Sequence, residues 1–141
     1  MDPWERQRVL ARTTVVWAAA SIGVGAAPAL RPDPWWRAFG QQHIGWGAAD
    51  LIIVGMVNVL ERRRVGQIPD PYAPGAREQE RRRLRAILVV NAFADAGYCL
   101  LGARLWRRRR EPQAAGAGAA IVLQGGFLMV HDSYHAVRLR A

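Results

Sequence analysis

Residues 86–103 read AILVVNAFADAGYCLLGA, a run in which Asp95 carries the only charge. The helix of a soluble protein normally has one polar face, whereas this run would be apolar on all sides. Its length is close to the roughly 20 residues that a helix needs to cross about 30 Å of hydrocarbon. The run is therefore typical of a transmembrane helix.

Three further windows have the same character: 13–30, 44–60 and 112–137. Their charged residues are Asp50 and Asp132, so 28 of the 31 Arg, Asp and Glu residues of the chain lie outside the four windows. A chain of 141 residues is long enough for one domain. We predict an all-α fold, a single integral membrane domain over 1–141, with spans at about 12–30, 43–60, 86–106 and 113–137.

The connections between these spans are short. RPDPWWRAFGQQ (31–42) is broken by proline and rich in aromatic residues, which suits a segment lying on the membrane surface. We predict a basic cytoplasmic loop over 61–85, whose AREQERRRLR stretch (76–85) begins the third helix before the membrane. Short links between successive spans predict a transmembrane up-down-up-down four-helix bundle.

The arginines indicate the orientation. With the N-terminus inside, thirteen arginines are cytoplasmic, including Arg138 and Arg140, and seven are external, including the run 107–110. The positive-inside rule therefore favours cytoplasmic termini. Residues 1–27 also have features of a signal peptide, but the first span is long enough to cross the membrane and we expect it to be retained. We expect a multi-pass protein of a bacterial cytoplasmic membrane.

The net charge of +9 comes from twenty arginines and no lysine. In a soluble protein this charge would suggest nucleic acid. Here the arginines flank apolar windows, so we expect contact with anionic lipid headgroups and no binding of nucleic acid. The single cysteine, Cys99, excludes an intramolecular disulfide.

Three of the predicted helices contain an aspartate. A carboxylate at mid-membrane costs about 2.5–3.5 kcal/mol on an insertion scale, so Asp50 and Asp95 need a partner, a proton or a water-filled space. Such residues indicate either a functional site or protonated side chains that join helices by hydrogen bonds.

Other polar residues extend this pattern along single helix faces. Asn91, Asp95 and Tyr98 share one face of the third helix, and Gln124, His131 and His135 share one face of the fourth. We expect these faces to point inward, with Asn91, Tyr98 and Gln124 as hydrogen-bond partners of the aspartates at one depth. The cytoplasmic mouth would be formed by the remaining candidates, His131, Asp132 and His135.

The sequence HDSYH (131–135) is similar to the HExxH motif of metalloproteases, with aspartate in place of glutamate. No third ligand is expected at the depth of His131 and His135, because His43 would lie near the opposite membrane face. A di-iron centre would need further carboxylates. We therefore expect no metal and no cofactor here, with His131 and His135 as weak metal candidates, and assign the two histidines to a proton relay or to headgroup contacts.

Several of these motifs together resemble a known family. They are Trp46-Gly47-x-x-Asp50, Asn91-x-x-x-Asp95-x-x-Tyr98, and Gln124-Gly125-x-Phe127-Leu128 leading to Asp132-x-x-His135. Over roughly 40–137 the chain is similar to an uncharacterised family of small bacterial four-helix membrane proteins, a domain of unknown function. The resemblance implies four spans and no known activity, and the 61–85 loop and His131 have no counterpart in it.

Three hypotheses for function follow. In the first, a carboxylate-centred site binds or conducts protons, cations or a small polar ligand, within a homo-oligomer or a larger complex. In the second, the protein is an accessory subunit whose aspartates pair with a partner. In the third, it is a membrane enzyme acting on a lipid or quinone. Because the sequence has no nucleotide-binding loop and no nucleophile elbow, we place the enzyme last.

Overall fold

The computed structural model describes residues 2–139, so Arg140, one of the arginines counted as cytoplasmic, lies outside the described part. Within that part the chain forms four helices and no strand. They are α1 (Pro3–Ala29), α2 (Pro34–Val65), α3 (Pro74–Trp106) and α4 (Pro112–Arg138). Each is long and apolar enough to cross a membrane, and the predicted all-α, four-helix fold is confirmed.

Every helix begins with a proline, which suits a first position whose backbone N–H would have no partner in the helix. Aspartates cap two of these starts. The Asp2 carboxylate accepts from the Trp4 backbone N–H at 2.9 Å, and the Asp33 carboxylate accepts from the Trp36 backbone N–H at 3.0 Å. These caps fix where α1 and α2 begin.

The helices are longer than the apolar windows, and two predicted connections shrink accordingly. The aromatic segment 31–42 is helical from Pro34 onward, because Asp33 and Pro34 together start a helix there. The predicted basic loop 61–85 is also mostly helical: α2 continues to Val65 and α3 starts at Pro74, leaving 66–73 as the connection. The early start of α3 agrees with the sequence prediction.

Glycine allows the helices to touch through their backbones. A Cβ atom on Gly47 would lie 2.6 Å from the Ala18 carbonyl oxygen of α1, and one on Gly25 would lie 2.9 Å from the Cβ of His43. Gly102 of α3 and Gly118 of α4 meet in the same way. In a bilayer, such close contact between backbones drives helix association.

These contacts also give the direction of each helix relative to its neighbours. Between α1 and α2, Gly25 meets Gly40 and Ala18 meets Gly47, so the two helices run in opposite directions. α2 and α4 run in the same direction, since Trp35 lies against Gly116 and His43 against Gln124.

Two pairs of helices stay apart, α1 from α4 and α2 from α3. Among residues 2–139, no Cα atom of α2 lies within 8 Å of a Cα atom of α3, although both pack along α4. The space between α2 and α3 is therefore lined by side chains, and it is where the candidate site lies. Near the C-terminal end of α4, an apolar cluster of Leu10, Leu84, Leu88, Ala136 and Leu139 joins α1, α3 and α4.

The glycine contacts lead to a prediction with a matched control on the same helix. Gly47→Ala places a methyl group against the α1 backbone and should lower the free energy of unfolding by about 1–3 kcal/mol. Gly45→Ala meets no atom within 4 Å and should be neutral or slightly stabilising. Unfolding of both variants in detergent, followed by circular dichroism, measures the difference. Equal stabilities would contradict the packing.

Candidate functional site

A cleft of about 510 Å3 lies between α2 and α3 and is closed at its base by residues of α1 and α4. We call it the acidic cleft, because Asp50 of α2, Asp95 of α3 and Asp132 of α4 all line it. These three residues are only 6%, 6% and 8% exposed. Helices far apart in sequence thus bring three buried carboxyl groups to one cavity.

The three carboxyl groups lie close enough to interact electrostatically with one another. The Oδ2 atom of Asp50 is buried and has no hydrogen-bond partner among the described residues. An ionised carboxylate only accepts hydrogen bonds, and burying one without a partner is costly. Asp50 is therefore suited to hold either its own proton or a bound cation.

The side walls of the acidic cleft contain two more predicted residues, Asn91 and Tyr98. The Tyr98 ring packs edge-to-face against Trp46 of α2, with ring centroids 5.2 Å apart. This aromatic pair bridges the gap between α2 and α3. The structure therefore brings Asn91, Asp95 and Tyr98 to one cavity with Asp50.

Near the end of α2 and the start of α3, the acidic cleft is bordered by ion pairs. Glu80 of α3 lines it, is 3% exposed, and forms an ion pair with Arg64 of α2 at 2.6 Å. Arg83 lies 3.8 Å from the same carboxylate, and Glu61 is also part of the wall. All four residues belong to the 61–85 segment, which was predicted as a basic loop and not as part of a site. The feature of the sequence that could have indicated these ion pairs is the presence of acidic and basic residues together at the end of α2 and the start of α3.

Gln124 does not line the acidic cleft, contrary to its expected place beside the aspartates. It is fully buried between α1, α2 and α4. Its Oε1 accepts from the Trp17 indole N–H at 2.7 Å, and its Nε2 donates to Ser21 Oγ at 2.9 Å and to His43 Nδ1 at 2.6 Å. We call these four residues the glutamine network.

The glutamine network includes side chains that the sequence analysis did not assign to a site. Trp17 and Ser21 lie in the apolar window of α1, where the buried indole N–H needed an acceptor. His43, expected near the far membrane face, lies at the depth of Gln124 instead. Its buried Nε2 has no partner among the described residues. The network joins three helices through one amide group.

His131 connects the acidic cleft to α1. Its Nδ1 lies 2.9 Å from an Asp132 oxygen, and its Nε2 lies 2.8 Å from Thr13 Oγ1. The Thr13 hydroxyl is also within 2.9 Å of the Val9 carbonyl and 3.0 Å of the Leu10 carbonyl. Both imidazole nitrogens are therefore engaged.

The hydrogen bonds among Thr13, His131 and Asp132 can be satisfied in two ways, which differ by one proton. If the Thr13 hydroxyl donates to a backbone carbonyl, its oxygen accepts from Nε2–H of His131. The Nδ1 contact then needs a second proton, on His131 or on Asp132. If the hydroxyl donates to Nε2, Nδ1–H donates to an ionised Asp132 and the pair holds one proton fewer. Rotation of one hydroxyl can thus accompany the gain or loss of a proton.

His135 is separate from the acidic cleft. It is 6% exposed, and its Nδ1 lies 3.3 Å from Arg6 Nη1. Because a guanidinium only donates, Nδ1 accepts and the imidazole is neutral with its proton on Nε2. The predicted mouth of His131, Asp132 and His135 is thus divided: the first two line the acidic cleft, and His135 lies against α1. Among residues 2–139, no three His, Cys, Asp or Glu side chains are grouped to hold a metal ion.

The glutamine network can be tested by removing its central amide. Gln124→Leu leaves Trp17 N–H and His43 Nδ1 buried without partners, each at a cost of about 1–3 kcal/mol. We expect a large loss in the free energy of unfolding, measured by thermal unfolding in detergent. Ser21→Ala removes one acceptor and should cost less. An equal loss in both variants would contradict the central role of Gln124.

Comparison with known proteins gives a family and assigns no activity. No curated protein and no solved structure gives a significant match. The model of a family of unknown function, DUF6992, matches residues 13–133, which include the whole of α2 and α3, most of α1 and α4, and all the aspartates of the acidic cleft. The match spans most of the chain. The protein therefore belongs to the family of unknown function DUF6992.

Proposed function

We propose that the protein is a multi-pass membrane protein whose acidic cleft binds a proton or a small cation and passes it along α2 and α3. The observation that carries the proposal is the buried Oδ2 atom of Asp50, which has no partner among the described residues and shares a cavity with two other carboxyl groups. A proton or cation would provide the missing partner.

The charge of the cleft supports a cation rather than an anion. Asp50, Asp95 and Asp132 are all acidic, and the arginine that lines the cavity, Arg83, lies at the end occupied by Glu80. Repulsion between like charges grows in a medium of low dielectric constant. A bound proton or cation reduces that repulsion, so binding at one carboxyl group should depend on the other two.

The contact between His131 and Asp132 supports proton exchange at the α4 side of the cleft. The pair can hold one proton more or one fewer while keeping both of its contacts. An imidazole ring can carry a proton on either nitrogen or on both, so it suits this exchange. A proton held at Asp132 would lie in the same cavity as Asp50 and Asp95.

Orientation and assembly belong to the same proposal. The proposed location is a bacterial cytoplasmic membrane; arginine counts favour both termini in the cytoplasm, and anionic headgroups would meet the flanking arginines. Four helices alone give a thin-walled bundle, so a homo-oligomer or a membrane complex would better enclose the pathway.

The proposal predicts the behaviour of two neutralising variants. Asp95→Asn should abolish pH-dependent cation flux into proteoliposomes, because an amide cannot exchange a proton at that position. Asp50→Asn should do the same and should also remove one protonatable carboxyl group from the infrared difference spectrum after a pH jump. Ion-sensitive dyes inside the vesicles measure the flux.

Glu111→Gln is the matched control, since Glu111 is exposed and lies beyond the membrane-crossing part of α3. It removes one carboxylate but should leave the flux unchanged. Unaltered flux in Asp95→Asn would show that Asp95 does not carry the ion. Unaltered infrared carboxyl bands in Asp50→Asn would show that Asp50 does not exchange a proton.

A second function, that of an accessory subunit, is favoured by the gap between α2 and α3. Because these helices have no Cα atoms within 8 Å of each other among residues 2–139, a helix of another membrane protein could enter the gap. An arginine on that helix would pair with Asp50 or Asp95. Affinity purification from native membranes should then recover one stoichiometric partner, and Asp50→Asn should release it. Recovery of the chain without a partner would reject this function.

A further inference from the structure

A second cavity, of about 610 Å3, lies where α1 begins and α2 ends. Three arginines line it: Arg8 and Arg12 from α1, and Arg62 from α2. Arg8 and Arg12 are one helical turn apart and so project from the same side of α1. We call this cavity the arginine pocket. It shares Asn58 and Glu61 with the acidic cleft, but its own lining has the opposite charge.

The walls of the arginine pocket are held in place by specific contacts. Trp4 is 5% exposed, its indole N–H donates to the Pro71 carbonyl at 3.0 Å, and the Arg64 guanidinium lies 5.2 Å from its ring. Arg77 pairs with Asp2 at 3.2 Å and lies over the Tyr72 ring. These contacts fix the 66–73 connection against α1, so the pocket is a built feature of the fold.

The charge inside the pocket is positive. Among residues 2–139, no carboxylate oxygen lies within 4 Å of a nitrogen of Arg8, Arg12 or Arg62, and all three arginines are exposed. The carboxyl group lining the pocket is that of Glu61, which interacts electrostatically with Arg8 and also with Arg64 of the Glu80 ion pair. Three cations and one anion leave a formal charge of +2 available to a ligand.

The position of the pocket points to the surface of the membrane. Arg12 directly precedes the apolar window of α1, and Arg62 lies two residues beyond that of α2. One turn further into the membrane, Val16 is 69% exposed and Val59 is 51% exposed. A ligand with its charged group in the pocket would therefore have apolar helix surface beside its remaining part.

We propose that the arginine pocket binds the phosphoryl headgroup of an anionic phospholipid. Guanidinium groups match phosphate oxygens with pairs of N–H donors, which makes arginine well suited to this anion. The exposed valines next to Arg12 and Arg62 would contact the acyl chains. Basic pockets between helices at the membrane surface bind headgroups in this way. The assignment does not depend on cation binding in the acidic cleft.

Native mass spectrometry of the purified full chain in detergent tests this assignment. Dioleoylphosphatidylglycerol is titrated against dioleoylphosphatidylcholine, which has the same acyl chains and no net charge. We expect one phosphatidylglycerol to bind at least ten-fold more tightly than phosphatidylcholine. The triple variant Arg8→Gln, Arg12→Gln, Arg62→Gln should lose that preference.

The matched control removes the same charge at the other end of the bundle. Arg107→Gln, Arg109→Gln, Arg110→Gln alters exposed residues of the α3–α4 connection and should keep the wild-type preference. Circular dichroism checks that both variants retain their helices. Equal loss in both variants, or no preference in the wild-type chain, would overturn the proposal.

Inorganic phosphate and glycerol 3-phosphate separate the lipid from a soluble ligand. Both carry the phosphoryl group without acyl chains, and we expect each to compete with phosphatidylglycerol only at far higher concentration. If either binds as tightly as phosphatidylglycerol, the pocket takes a soluble phosphate and the assignment to a lipid is wrong.

Discussion

Close contact between helix backbones is the constraint on which the rest of this structure depends. Gly47 lets α2 lie against the backbone of α1 at Ala18, and Gly118 lets α4 lie against α3 at Gly102. Two tightly packed helix pairs result, and α4 also contacts α2 through Gly116. Because α2 is occupied on these sides by α1 and α4, it does not reach the α3 backbone. The acidic cleft is a consequence of where the glycines are.

The buried polar groups of the bundle are of two kinds: some are hydrogen-bonded to one another, and others line a cavity. In the glutamine network, one amide donates to Ser21 and His43 and accepts from Trp17, so its polar atoms have partners within the protein. Such a network holds helices together. The buried Nε2 atom of His43 has no partner among residues 2–139, but it does not line the acidic cleft. In the acidic cleft, carboxyl groups from three helices face a cavity, and one oxygen of Asp50 has no partner among the described residues. This difference is why the proposed function rests on the cleft.

Charges of opposite sign lie side by side near the ends of α1 and α2. The acidic cleft and the arginine pocket share the wall formed by Asn58 and Glu61. The ion pair between Arg64 and Glu80 lies beside this wall, and Arg64 also contacts the ring of Trp4. A headgroup in the pocket would bring negative charge close to Glu61. Occupation of the pocket and the charge of the cleft are therefore expected to influence each other.

The sequence by itself determined the number of helices, their being long and apolar enough to cross a membrane, and the family, because long apolar runs and short motifs depend only on neighbouring residues. It also singled out Asp50, Asp95, Asn91 and Tyr98, which line one cavity. The tertiary structure alone decided that Gln124 belongs to another network, since position along a helix gives depth but not which neighbour a face meets. The side chains of Trp17 and Thr13 on α1 meet Gln124 and His131 on α4 only in the folded bundle. The arginine pocket likewise needs two helix ends and a folded connection, which no local pattern specifies.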